Sequence, residues 1–177
     1  MAMPTVTLLT GGSRSGKSRF AQALAAPYRR RTFIATAIAC DEEMVMRIAR
    51  HQEERAGAFR TIEAPVRLAD AVRSAGPEAD AVLVDCLTVW TGNLLYERER
   101  GVKPEHEIGA FLEALRTPPC DLFIVTNEVG MGIVPDNAIA REFRDLAGKL
   151  NQQAAAIADT VILMVSGLPL YLKGGPK

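Results

Sequence analysis

Apolar and polar positions alternate in blocks along the chain. An apolar stretch at 6–10 reads as a short strand, and the glycine-rich segment after it gives way to a helical period over 17–26. Residues 32–36 read as a second strand, and Asp41 can cap a helix running to 56, where Gly57 offers a stop. Pro65 suits a helix start, with Val66, Leu68, Ala69 and Val72 following at helical spacing. Ala81, Val82, Leu83 and Val84 form an unbroken apolar run closed by Asp85, the pattern of a strand buried on both faces of a parallel sheet. Helical patterns occupy 88–99 and 104–116, a second buried strand spans 122–126, and a long turn covers 127–135. A helix over 137–157, a strand over 160–165 and a short strand at 170–172 complete the series. Strand followed by helix throughout predicts an α/β layered domain, with a mostly parallel central sheet flanked by helices and right-handed crossovers. With no repeat, linker or low-complexity tract, residues 1–177 are expected to form a single domain.

Composition narrows the function classes. The 177 residues carry 21 Lys+Arg against 21 Asp+Glu, so no net positive field favours nucleic acid or an anionic membrane as partner. Neither a signal segment nor an apolar run near the roughly 18 residues that span a bilayer is present, and a cytoplasmic location is expected. Cys40, Cys86 and Cys120 are far apart and odd in number, which suggests neither a disulfide framework nor a zinc site. Glu97, Arg98, Glu99 and Arg100, with Lys103 and Glu105, read as a solvated loop between two helices.

The segment Gly11-Gly12-Ser13-Arg14-Ser15-Gly16-Lys17-Ser18 fits G-x-x-x-x-G-K-[ST] and lies between a predicted strand and a predicted helix. Its glycines let the backbone wrap phosphates, and the helix start turns its N–H groups and positive dipole end toward the same oxygens. Lys17 would lie along the β- and γ-phosphates of a nucleoside triphosphate, and the Ser18 hydroxyl would ligate Mg²⁺. Asp85, at the tip of a buried strand, is placed to supply the second metal ligand; it is also a suitable N-cap for the following helix. Glu128 is another acid at the carboxyl edge of the sheet, able to assist the metal or an acceptor hydroxyl, or simply to shape a turn.

On the helix expected over 42–56, Arg47, His51 and Arg55 share a face, with Arg50 and Glu54 beside them. Cationic neighbours disfavour a protonated imidazole, so His51 would stay neutral and nucleophilic while the arginines held phosphates. Attack of its ring nitrogen on phosphorus would give a covalent N–P intermediate. A solvent-facing histidine on a charged helix fits the same pattern. The other histidine, His106, follows an acidic loop-like stretch and reads as surface.

Several segments together resemble one known family. They are Thr10-Gly11-Gly12-Ser13-Arg14-Ser15-Gly16-Lys17-Ser18-Arg19, Ile34-Ala35-Thr36-Ala37, Arg47-Ile48-Ala49-Arg50-His51-Gln52, Val84-Asp85-Cys86-Leu87-Thr88 and, above all, Thr126-Asn127-Glu128-Val129-Gly130-Met131-Gly132-Ile133-Val134-Pro135. The chain is similar over 6–172 to the bifunctional adenosylcobinamide kinase/adenosylcobinamide-phosphate guanylyltransferases of cobalamin biosynthesis. The resemblance implies a RecA-like P-loop domain that phosphorylates adenosylcobinamide with ATP or GTP and then passes GMP from a histidine to that phosphate. Carried over, the histidine is His51, and the nucleotide contacts fall on Gly11 through Ser18, on Ala35, Thr36 and Ala37, on Gln52, Glu53, Glu54 and Arg55, and on Glu63 and Asp85. A carboxylate at Glu63 can accept two N–H bonds from the guanine edge, which adenine cannot offer; an exposed acid at a strand end is the other reading. The family also implies a homo-oligomer, a trimer. Two further readings stay open: a P-loop kinase of another small hydroxylated acceptor, and a nucleotide-dependent regulatory module.

Overall fold

The computed structural model describes residues 3–38, Met46 and residues 57–175. Seven strands form one sheet in the order β3-β2-β4-β5-β1-β6-β7. They are β1 (Val6–Gly11), β2 (Arg31–Ala35), β3 (Arg60–Glu63), β4 (Ala81–Asp85), β5 (Asp121–Val125), β6 (Thr160–Val165) and β7 (Leu168–Lys173). All neighbours pair in parallel except β6 with β7. Among the described residues the helices with defined bounds are α1 (Lys17–Ala25), α2 (Leu68–Ala75), α3 (Leu87–Glu97), α4 (Pro104–Arg116) and α5 (Ala138–Ile157). The expected α/β layered fold with a mostly parallel sheet is therefore present.

The central strands show why. Along β4, Val82 and Val84 enter one core while Ala81 and Leu83 enter the other, and in β5 Leu122 and Ile124 oppose Phe123 and Val125 in the same way. A strand buried on both faces has no polar side to show, hence its unbroken apolar run. The larger core lies under α2, α3, α4 and α5, and the smaller one under α1, through Ala21 and Ala25. Trp90 of α3 is fully buried in the larger core, its ring 5.3 Å from that of Phe111, and its Nε1 donates to the Val66 carbonyl at 2.7 Å.

The short last strand expected at 170–172 is present and longer, over Leu168–Lys173. β6 returns directly into β7 as an antiparallel hairpin, with Ser166 and Gly167 at φ 51° and 83°. Two consecutive left-handed residues match the twist of a tight hairpin, and glycine makes the second inexpensive. β3 is short, and Arg60, Thr61 and Glu63 are exposed, so no apolar period marks it; it exists by pairing with β2 at the sheet edge. The charged run at 97–100 is more ordered than a loop. Glu97 ends α3, Arg98–Arg100 form a 3-10 turn, and Arg98 pairs with Glu142 of α5 at 2.5 Å. The helix expected over 42–56 falls on residues outside the described set apart from Met46, which is helical and exposed.

Two substitutions test this packing. Trp90→Ala should lower unfolding free energy by about 3–5 kcal/mol, read from denaturant midpoints, because it opens a cavity and leaves the Val66 carbonyl without its donor. Gly11 sits at φ 143°, and a Cβ there would lie 2.4 Å from the Met164 carbonyl oxygen of β6. Gly11→Ala should therefore cost about 1–3 kcal/mol of stability and reduce nucleotide binding in a fluorescent-nucleotide titration.

Candidate nucleotide site

Residues 11–18 join the end of β1 to the start of α1. Arg14 and Gly16 take positive φ values of 56° and 93°, which turn the backbone back on itself. Gly16 is the N-cap of α1, with no side chain capping the first turn and no acid within it, so the N–H groups of that turn and the positive end of the helix face outward. The β6–β7 hairpin braces the loop from behind, with Gly167 N–H donating to the Ser15 carbonyl at 3.0 Å. Lys17 is only 6% exposed. Its Nζ donates to the Gly12 carbonyl at 2.5 Å and to Ser15 Oγ at 3.3 Å, which lays the ammonium across the loop. Burial pushes the Lys17 pKa below the usual lysine range, and the nearby Asp85 carboxylate acts in the opposite direction. Ser18, in the first turn of α1, is half-buried.

Parallel register brings the other residues to the same edge. Ala35 of β2 is level with Glu63 of β3 on one side and Asp85 of β4 on the other, and Asp85 is level with Val125 of β5. The chain ends are then tied together. Buried Thr36 accepts from the Cys86 N–H at 2.8 Å, donates through Oγ1 to the Cys86 carbonyl at 2.9 Å, and donates its own N–H to the Asp85 carbonyl at 3.3 Å. Asn93 of α3 donates to the carbonyls of Thr36 and Pro65 at 2.7 and 3.0 Å. Helix α3 starts at Leu87 with Cys86 as its N-cap, so Asp85 is not the cap that the sequence also allowed. Its half-buried carboxylate is thereby left for other partners. Glu63 is exposed at the outer end of the row, and Ala37 is half-buried. Burial, with the Asp85 carboxylate beside it, pushes the Cys86 thiol up to about 11, so it stays protonated near neutrality and is no nucleophile.

A polar network that the sequence did not reveal anchors the 127–135 turn. Thr126, buried at the end of β5, donates to Asn151 Oδ1 at 2.8 Å, and its hydroxyl lies 3.3 Å from that of Thr88. Thr88 Oγ1 accepts from the Asn127 N–H at 2.7 Å. Asn151, 7% exposed in the middle of α5, donates to the Asn127 carbonyl at 3.0 Å and to Glu128 Oε1 at 3.4 Å. The Thr10 hydroxyl donates to that same oxygen, and the Glu128 N–H donates to the Gly11 carbonyl at 3.1 Å. The one sequence signal was an asparagine on the apolar stripe of Ala147, Leu150 and Ala154, where a buried amide demands partners.

His51, Gln52, Glu53, Glu54 and Arg55, together with Cys40, Arg47 and Arg50, lie outside the described residues. His106 has a 72% exposed side chain, 3.5 Å from Glu107, and is a surface residue as expected. Cys86 and Cys120 are free. Among the described residues no group of three or more His, Cys, Asp or Glu could hold a metal ion by itself, and no helix is long and apolar enough to cross a membrane. A cleft of about 570 Å³ lies between α3 and the start of α5, with Leu95, Tyr96, Ile139 and Phe143 in its apolar wall and no residue of the phosphate loop in its lining.

Residues 7–172 match the family model described as cobinamide kinase / cobinamide phosphate guanyltransferase. The bifunctional adenosylcobalamin biosynthesis protein CobU of Salmonella typhimurium is 40% identical over 178 residues, covering 94% of this chain and 98% of that protein. The bifunctional adenosylcobalamin biosynthesis protein CobP of Pseudomonas aeruginosa is 43% identical over 171 residues, covering 96% and 98%. Among solved structures, an ATPase from the type III secretion system of pathogenic bacteria superposes with TM-score 0.56 at 12% identity, over 92% of this chain and 51% of that one. The RadB recombinase gives TM-score 0.51 at 14% identity, over 90% and 73%. The chain spans about half the length of the secretion ATPase, and both likenesses are of fold alone: the RecA-like P-loop architecture expected from the sequence. Since the family match runs nearly from end to end, phosphate loop and 126–135 turn included, the chain belongs to the cobinamide kinase / cobinamide phosphate guanyltransferase family.

Proposed function

We propose that this chain, acting as one nucleotide-binding domain, phosphorylates the aminopropanol hydroxyl of adenosylcobinamide with ATP or GTP and then transfers GMP from GTP to the product through His51. The observation that carries the reading is the phosphate loop: a buried Lys17, an uncapped α1 terminus and the Asp85 carboxylate converge at one end of the sheet. A lysine held in a desolvated position is poorly solvated as a cation, so a polyphosphate that replaces the missing water gains more from it than from a surface lysine. Gly11, Gly12, Ser13, Arg14, Ser15, Gly16, Lys17 and Ser18 would enclose the phosphates, and Ala35, Thr36 and Ala37, with Glu63, would face the base and sugar.

Mg²⁺ fits the donors present. Ser18 and Asp85 offer one hydroxyl and one carboxylate oxygen, both hard ligands, and Mg²⁺ normally leaves its other positions to phosphate and water. When bound, the ion neutralises charge on the phosphates. Lys17 and the helix terminus orient the same oxygens, so positioning and electrostatics account for most of the rate enhancement. In the second reaction the neutral imidazole of His51 bonds to the α-phosphorus of GTP as the bond to the pyrophosphate oxygen breaks. The acceptor phosphate then displaces His51, and Gln52, Glu53, Glu54 and Arg55 would serve the nucleotide beside it. A corrinoid is large for a 177-residue chain, so the acceptor is placed in a groove between subunits of a homo-oligomer.

Incubation with α-labelled GTP should label the protein covalently, and His51→Ala should remove the label while phosphorylation of cobinamide continues. Label that survives His51→Ala would overturn the nucleophile assignment. Lys17→Ala should lower kcat for phosphorylation by about 10²–10³-fold, measured as cobinamide phosphate formed per unit time, since one preorganised cation is lost. Melting-temperature shifts with ATP, GTP and cobinamide give a further check: stabilisation by nucleotide alone, with no turnover, would point to a regulatory module instead.

A further inference from the structure

Anchoring of the 127–135 turn accounts for one carboxylate oxygen of Glu128 and for its backbone N–H, but not for the other oxygen. Glu128 follows β5, and β5 lies between β4, which ends in Asp85, and β1, which opens into the phosphate loop. Its backbone is held to that loop by the hydrogen bond to the Gly11 carbonyl. Its Oε1 accepts from the Thr10 hydroxyl and the Asn151 amide, both neutral donors from buried residues, one on β1 and the other on α5. The second oxygen, Oε2, takes part in no hydrogen bond or ion pair among the described residues, and the side chain is half-buried rather than free in solvent. One oxygen is thus clamped and the other is left to accept, with no cation paired to it among the described residues.

We propose that Glu128 is the catalytic base of the phosphoryl-transfer half-reaction, and that Asn151 and Thr10 are positioning residues that aim it. The inference rests on the kinase reading above. As the acceptor hydroxyl oxygen bonds to the γ-phosphorus, its proton passes to Glu128 Oε2. The bond from the γ-phosphorus to the β,γ-bridging oxygen breaks, and the nucleoside diphosphate departs with that electron pair; the proton then leaves Glu128 to solvent. Asp85 is the less suitable base, because its place one strand further out, beside Lys17, serves the phosphates. Glu63 lies at the far end of the row, with β2, β4 and β5 between its strand and β1. Guanylylation of His51 starts from a neutral imidazole and deprotonates no hydroxyl, so the base acts in one half-reaction only.

Glu128→Gln keeps an Oε1 acceptor for Thr10 and Asn151 while removing the basic oxygen, which preserves the fold. In the full-length protein, cobinamide phosphorylation by this variant should lose about 10²–10⁴-fold in kcat with the nucleotide KM unchanged. Covalent labelling by α-labelled GTP should stay at the wild-type level. Asn151→Ala should lower the same kcat about tenfold in the wild-type background and have no further effect in the Glu128→Gln background, because it acts through Glu128. A Glu128→Gln variant with wild-type kcat, or one that also loses the α-label, would overturn the base assignment. Equal effects of Asn151→Ala in both backgrounds would overturn the positioning role. A wild-type protein that takes the α-label but makes no cobinamide phosphate would overturn the kinase reading and this proposal with it, whereas unimpaired Glu128→Gln in an active enzyme overturns this proposal alone.

Discussion

Parallel pairing from β3 across to β6 is the constraint on which the rest of the molecule depends. Parallel strands joined by crossovers all point the same way, so their carboxyl ends collect along a single edge, and here Gly11, Ala35, Glu63, Asp85 and Thr126 arrive there together. The register puts Glu63, Ala35, Asp85 and Val125 at one level across four neighbouring strands. A one-residue slip of β4 would turn Val82 and Val84 out of the larger core and move Asp85 off that level, so burial on both faces and placement of the site are enforced by the same packing.

The sheet places strand ends but does not hold the loops beyond them. That is done by buried and half-buried polar side chains, Thr36 beyond the end of β2 and Thr88, Asn93 and Asn151 on helices, which satisfy backbone groups that no ladder can reach. Thr36 closes the β2 end onto Cys86, Asn93 ties it to Pro65, and Asn151 with Thr88 fastens the turn after β5. Such networks are costly when incomplete, because a buried amide without partners forfeits its solvation. Once satisfied, they hold the loop in one arrangement, which a site for phosphoryl transfer requires.

Charge follows the same logic. The chain has no net charge, yet Lys17 is placed where burial works against its ammonium and Asp85 only partly offsets this. The β6–β7 hairpin, which binds the Ser15 carbonyl through Gly167, keeps the loop folded around that lysine. A local electrostatic demand is thus built into a globally neutral molecule, directed at an anion rather than at a polyanionic surface.

Much of this was legible in the residue order. The bounds of β4, α4 and β6 coincide with the expected ones, because apolar runs, a proline start and a closing acid are local signals. The strand-loop-helix context of residues 11–18 was equally local. β3 was not legible, since a polar four-residue strand owes its existence to its neighbour β2. Nor was the antiparallel turn into β7, where direction is set by two left-handed residues rather than by hydrophobic period. Sequence by itself determined the layered α/β class, the phosphate loop and the family, all of which rest on short-range patterns and motif spacing. Only the tertiary structure decided that Glu128 sits clamped between Thr10 and Asn151, 118 and 23 residues away along the chain, because contacts at such separations are made by packing β1, β5 and α5 together and leave no periodic trace.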